Sequence, residues 1–139
     1  MIRYATKNDL KPVFELIKLL SSEEFTYEQF EASFAYNLQN NHILLYVENG
    51  EVAGLGVLVI FFPLHHSKKI AEIIEIVTVE SARGKGIGKK LLDEMATLAA
   101  KNDCANIELA SNKKRTDAHR FYEREGLVPT HFKFTKKLI

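Results

Sequence analysis

Cysteine is nearly missing from this chain. Cys104 stands alone among 139 residues, so no internal disulfide can form. Such usage suits a reducing compartment. An excess of charge of one sign is missing too, since the formal net charge is +1. No overall field draws in nucleic acid or an acidic membrane, and any anion must be gripped by a local arrangement. No apolar run is long enough to cross a bilayer, and the opening MIRYATKNDL lacks the apolar stretch of a signal peptide. Repeats, low-complexity tracts and Pro/Gly/Ser linkers are absent. The expectation is a cytoplasmic protein made of one domain over residues 1–139, with neither a nucleic-acid nor a membrane partner. Hydrophobic residues at 46% and charged residues at 27% exclude a disordered chain. A chain of this length buries a core without staples.

What is present reads as a succession of short elements. Ile2 to Ala5 is a short strand. Thr6 and Asp9 form a T-x-x-D cap, and Leu10, Val13, Leu16, Ile17 and Leu20 recur at helical spacing. Pro12 lies inside that helix and is expected to delay its start or bend it. Thr26 and Gln29 make a second capping box, with Tyr27, Phe30, Phe34 and Leu38 as the stripe behind it. Ile43 to Val47 and Val52 to Phe62 read as strands around the Asn49-Gly50 hairpin signal. Gly54 and Gly56 weaken the second strand, which points to a bend or a close approach. Ile70 to Val79 is a further strand, followed by a glycine-rich loop and a helix from Ile87 to about Lys101. Asn106 to Ala110 is a short strand. Thr116 caps a helix through Glu125 that Gly126 ends. Val128 to Leu138 is expected to be the last strand. The fold class is α/β (α+β), a mixed sheet with helices on its faces.

The sharpest local signal is Arg83-Gly84-Lys85-Gly86-Ile87-Gly88, which follows a strand and opens a helix. A helix N-terminus offers unpaired N–H donors and a partial positive charge. Glycines let the backbone approach a phosphate closely. Arg83, Lys85 and Lys89 add charge at the same spot, so the stretch reads as a pyrophosphate cradle. It lacks the G-x-x-x-x-G-K-[ST] spacing of the P-loop. It also follows a late strand, whereas the dinucleotide fingerprint follows the first.

Strand, R-x-x-G-x-G and helix together resemble the coenzyme A-binding motif of the GCN5-related N-acetyltransferase (GNAT) superfamily, with Arg83, Gly86 and Gly88 in the motif positions. The order of elements is similar along the whole chain. The stretch from Glu108 to Leu138, with Phe61 to His66 upstream, resembles the aminoalkylphosphonate N-acetyltransferases within it. The resemblance implies a GNAT-type mixed, mostly antiparallel sheet with helices on both faces. It implies acetyl-CoA as cosubstrate, a small-molecule amine as acetyl acceptor, and direct transfer in a ternary complex. It assigns cofactor contacts to Val77, Thr78 and Val79, whose backbone would pair with the pantetheine arm like an added strand. Further contacts fall to residues 84–89 (Gly84, Lys85, Gly86, Ile87, Gly88 and Lys89), to Arg83, and to Asn112, Ala118 and Tyr122. A homodimer is compatible with the sequence.

Attack on a thioester needs a neutral amine, hence a base. Glu72 and Glu75 lie in the otherwise apolar strand AEIIEIVTVE, where partial desolvation would raise a carboxyl pKa. Their offset of three puts them on opposite faces of a regular strand. The resemblance implies a bulge there, and it places Glu72 at the position of the superfamily's usual base. Which of the two takes the proton stays open. Tyr122 matches the superfamily's general acid for the leaving thiolate; otherwise it is a half-buried tyrosine with one wet end. His65 and His66 line either the acceptor pocket or a plain polar loop, and adjacent histidines rarely share a metal, so no metal is expected. Phe25, Tyr27, Phe30 and Phe34 fall where the superfamily builds its acceptor wall. Lys113, Lys114, Arg115 and Arg120 are candidate cations for a phosphonate, or a solvated helix start.

Overall fold

Five strands pair into one sheet in the order β1-β2-β3-β4-β5: β1 (Ile2–Tyr4), β2 (His42–Glu48), β3 (Glu51–Phe61), β4 (Lys69–Thr78) and β5 (Cys104–Leu109). The first four run antiparallel to one another, and β5 lies parallel to β4. A parallel pair needs a crossover, which α3 (Ile87–Lys101) provides. On one face α1 (Leu10–Leu20) and α2 (Tyr27–Asn40) share a core with Ile43, Leu45, Leu55, Val57 and Val77. On the other face α3 buries Ile87, Leu91, Leu92, Met95 and Ala99 against Leu44, Leu58, Ala71 and Ile73. The chain ends with α4 (Thr116–Arg124) and a segment without regular structure. This is a computed structural model, and it describes all 139 residues.

Local chemistry sets the element ends. The Thr6/Asp9 box forms around a single 3-10 turn (Lys7–Asp9) that leads into α1. Arg3 grips the buried Asp9 carboxylate through two nitrogens at 2.9 and 3.0 Å, which holds that carboxyl below its ordinary range. Pro12 falls in the first turn of α1, where its missing N–H removes no bond from the helix interior, and regular α-helix starts at Leu10, after the 3-10 turn that follows the Thr6 cap. Thr26 and Gln29 cap α2 reciprocally. Asn49 and Gly50 both take positive φ, 53° and 77°, so the turn twists with its strands, and Glu48 faces Glu51. Thr116 is the first residue of α4 rather than its cap, and no side chain caps that helix.

Gly54 and Gly56 mark close approach. A Cβ at Gly54 would lie 2.9 Å from Ile87 Cγ2, and one at Gly56 would lie 2.8 Å from Met95 Cε. The missing side chains let α3 rest on β3. Leu91 and Met95 are fully buried there, each stabilising the fold by roughly 1.5–3 kcal/mol.

β4 carries one extra residue. Val57 pairs with Glu75 and Leu58 with Ile73, so Ile74 is bulged out of the ladder. Upstream, Ala71 and Ile73 face α3; downstream, Val77 faces α1 and α2. Glu72 and Glu75 therefore lie on the same face, the one covered by α1 and α2. The opposite-face geometry of a regular strand does not hold, and the bulge is the reason.

The expected last strand is not formed. Residues 128–139 are exposed and make no main-chain hydrogen bond, and β5 remains the outermost strand. An alternating sequence becomes a strand only when it meets an edge, and this segment meets none.

Candidate active site

The glycine loop folds as its residue types require. Gly84 and Gly86 take φ of 82° and 77°, conformations that suit glycine alone. Gly86 leads directly into α3. The main-chain N–H groups of Gly84, Gly86, Ile87, Gly88 and Lys89 donate to no group in the protein. These free donors at the positive end of a fifteen-residue helix form a binding site for an anion such as a diphosphate. A Cβ at Gly88 would stand 3.6 Å from the Phe121 ring, so α4 closes over the start of α3. Arg83 and Lys85 make no ion pair, whereas the Lys89 ammonium is held by Asp93 at 3.1 Å and Glu125 at 2.9 Å. Only the Lys89 amide, not its charge, is left for a ligand.

Next to this loop the sheet opens. β5 pairs with β4 only as far as Ile73, so β4 from the bulge onward has a free edge. The Val79 N–H already donates to Ala53 O at 2.9 Å, and its carbonyl accepts from Ala82. Alternation along an antiparallel strand then turns the Val77 groups towards β3 and those of Ile76 and Thr78 towards the gap. This corrects the expectation that Val77 and Val79 offer their backbone to a ligand. Thr78 keeps that capacity, and Ile76, which the sequence pattern did not single out, shares it.

On the α1/α2 face lies a cavity of about 500 Å³. Ile17, Phe30, Phe34, Ile43, Leu55 and Val57 make its apolar wall. Gln29, Ser33 and Asn37, one helical turn apart on α2, and Glu75 supply polarity, and no lysine or arginine lines it. Burial raises the Glu75 carboxyl above its ordinary value. A carboxylate so placed binds a proton more readily than one in water, which suits it to take one from an ammonium. Glu72 shares this face but does not line the cavity. The polar stripe at 29, 33 and 37 was readable as an i, i+4 pattern beside the aromatic stripe, but its partners came only with the fold.

Tyr122 is the one buried residue of α4. Burial raises its phenol above the ordinary value, and Arg115 opposes that shift by charge and hydrogen bonding. The Asn112 Oδ1 accepts from Lys114 N at 2.9 Å, so it shapes its own turn. Ala118 is half-buried near the start of α4. The remaining candidates stand outside the cavity. Arg120 pairs with Asp117 on the exposed side of α4. His65 and His66 sit on an exposed turn with ring centroids 4.1 Å apart. Tyr27 packs edge-on against Phe14 at the start of α2. Arg120 lies on the exposed side of its helix, whereas Tyr27, on the same stripe as Phe30 and Phe34, is the first residue of α2 and packs against α1 instead of lining the cavity. Burial raises the Cys104 thiol above its ordinary value, which keeps it protonated.

Residues 8–127 match the Acetyltransferase (GNAT) family. The chain is 43% identical to the aminoalkylphosphonate N-acetyltransferase of Salmonella typhimurium, over 99% of this chain and 90% of that protein. Its fold superposes on glucosamine-6-phosphate N-acetyltransferase from Arabidopsis thaliana with a TM-score of 0.83 at 23% identity, covering 100% of this chain and 98% of the other. An aminoglycoside 6'-N-acetyltransferase from Acinetobacter haemolyticus gives 0.85 at 17%, covering 100% and 99%. Free amides opening α3, a sheet parted beside them, and a family match over most of the chain agree: this protein belongs to the GNAT family and is an N-acetyltransferase, an enzyme of the acyltransferase class.

Proposed function

We propose that the chain is a single catalytic domain that transfers acetyl from acetyl-CoA to the primary amine of an aminoalkylphosphonate, directly and in a ternary complex. The observation that carries this reading is Glu75, a desolvated carboxylate on the wall of a cavity that adjoins the parted strand. The free amides from Gly84 to Lys89, with Arg83 and Lys85, suit the diphosphate of the cosubstrate. The free edge of Ile76 and Thr78 suits its pantetheine amides.

Glu75 takes a proton from the acceptor ammonium, with Glu72 on the same face as its neighbour in charge. The amine lone pair then attacks the thioester carbonyl carbon. As the C–S bond breaks, Tyr122 protonates the departing sulfur, and the proton left on nitrogen returns to the tyrosinate. Amide, coenzyme A thiol, neutral tyrosine and a protonated Glu75, which gives its proton up to solvent, balance the reaction. The cavity wall accepts the alkyl-ammonium end. Lys113, Lys114 and Arg115, none in an ion pair, are the free cations for the phosphonate.

One observation favours a second reading. The cavity holds Glu23 and Glu75 but no cation, which suits a polyamine as well as an amine that ends in an anion. Thiol release with an aminoalkylphosphonate, a polyamine and an aminoglycoside, each with acetyl-CoA, separates the two. The first reading expects kcat/KM at least tenfold higher for the phosphonate, with a rise in KM but not kcat in Lys113→Ala. Turnover of the polyamine alone overturns it. Tyr122→Phe is expected to lower kcat by about 10²-fold, the lower end of the range for a lost general acid.

A further inference from the structure

α4 carries Tyr122, and its two ends are fastened differently. The rear is tied to α3: Glu125 holds the Lys89 ammonium at 2.9 Å, and the Phe121 ring lies over Gly88. The front has no side-chain cap, and residues 112–117 leading into it are exposed. One side-chain bond returns the front of the helix to the sheet. His119 Nε2 and Ser111 Oγ stand 3.1 Å apart in a partly buried position. Ser111 lies two residues beyond Leu109, where β5 ends and the gap beside β4 opens. The other polar contact of the front, Arg120 with Asp117, stays within the helix. His119 and Tyr122 are three residues apart, so they project from one face of α4, about 4.5 Å apart along its axis. A bond at His119 therefore fixes the roll of the helix and the direction of the Tyr122 phenol. A hydroxyl donates and accepts, so Ser111 keeps this bond with a neutral or a charged imidazole.

We propose that His119 is a positioning residue for acetyl transfer: anchored on Ser111, it holds α4 in the roll that aims the Tyr122 hydroxyl at the gap between β4 and β5. This rests on the reading of Tyr122 as the group that protonates the departing sulfur. His119 acts through Tyr122 and passes no proton to the reacting atoms. Proton transfer demands close geometry, and a misplacement of about 1 Å costs about 10²-fold in rate. With the bond removed, the rear anchors keep α4 on the protein but leave its roll free. The phenol then points correctly for part of the time. The loss is therefore smaller than that from removing the phenol itself. Binding of the diphosphate is untouched, because the free amides belong to the loop and to α3.

Two measurements test this: kcat for thiol release with the best amine of the screen above, and the calorimetric Kd for acetyl-CoA. The variants are His119→Ala, His119→Gln, Ser111→Ala, Tyr122→Phe, and His119→Ala combined with Tyr122→Phe. His119→Ala and Ser111→Ala are each expected to lower kcat about tenfold while changing the Kd less than about twofold. His119→Gln keeps a donor at the same reach and is expected to bring kcat back to within about threefold of wild type. In the Tyr122→Phe background, His119→Ala is expected to lower kcat no further, because no phenol is left to aim. An undiminished kcat in either alanine variant overturns the proposal. So does a Gln variant as slow as the Ala variant, a Kd that weakens in step with kcat, or losses that multiply in the double variant. The catalytic reading of Tyr122 has a separate sign of failure: Tyr122→Phe at full kcat, which removes the proposal with it.

Discussion

α3 lies against β3 where Gly54 and Gly56 leave no room for a methyl group, whereas on the other face α1 and α2 stand off far enough to leave about 500 Å³. The two faces belong to one sheet and differ in what fills them. The α3 face is built from aliphatic side chains that interlock with glycine-made hollows. The α1/α2 face is built from Phe14, Phe25, Phe30 and Phe34, which pack on each other at centroid distances of 5.2–6.0 Å. Rings that stack together do not also fill the space above the strand. Both faces bury a core, but the room for a ligand, with a desolvated carboxylate in its wall, is left only on the α1/α2 face.

The largest test of this contrast is Glu75→Gln. On the open face it should lower kcat by about 10²–10⁴-fold, the usual contribution of a general base. It should also stabilise the protein at neutral pH. Burial raises the folded pKa of Glu75, so the stability tied to its proton is complete below the unfolded carboxylate value of about 4.3 and is lost as pH rises through the folded value. Thermal melts at pH 4 and pH 8 check this: the variant gains in Tm at pH 8 and not at pH 4. Wild-type kcat should fall on the acid side with an apparent pKa above the ordinary carboxylate range. A wild-type profile with no such limb breaks the assignment to Glu75.

A methyl group sharpens the comparison next. Gly54→Ala meets Ile87 at 2.9 Å and Leu91 at 3.0 Å and should cost about 1–3 kcal/mol by overpacking. Ser33→Ala on the cavity wall should cost under about 0.5 kcal/mol, as substitutions away from packed features do. Urea unfolding measures both, and equal losses would mean the faces are packed alike. The smallest effect is expected at the loop. Lys85→Ala should weaken acetyl-CoA binding severalfold, in calorimetric titration at low salt, because its charge is free. Lys89→Ala should change binding less than twofold, because Asp93 and Glu125 already hold its ammonium.

The two regions were not equally legible. The loop could be read from residues 83–88 because its geometry is local: glycine dihedrals and helix-end donors depend on neighbours in sequence. The capping boxes, the Asn49-Gly50 turn and the close approach at Gly54 and Gly56 were legible for the same reason. The cavity was not. Phe30 and Phe34 lie in its wall and Tyr27, on the same stripe but at the very start of α2, does not, a difference of position along a helix whose placement on the sheet the sequence does not give. Arg120 and the Lys89 ammonium were misplaced because their partners, Asp117 and Glu125, compete for them in the folded chain.

By itself the sequence determined the strands and helices up to α4, where most of them are capped, and that Arg83 to Gly88 opens a helix with unsatisfied donors, though not the fate of residues 128–138. These follow from short-range sterics and hydrogen bonding. Only the tertiary structure decided that Glu72 and Glu75 share a face, that Ile76 and Thr78 rather than Val77 and Val79 border the gap, and that residues 128–138 lack a partner in their own chain. Each depends on strand register, and register is a relation between segments distant in sequence: one bulged residue, Ile74, reverses every side chain after it.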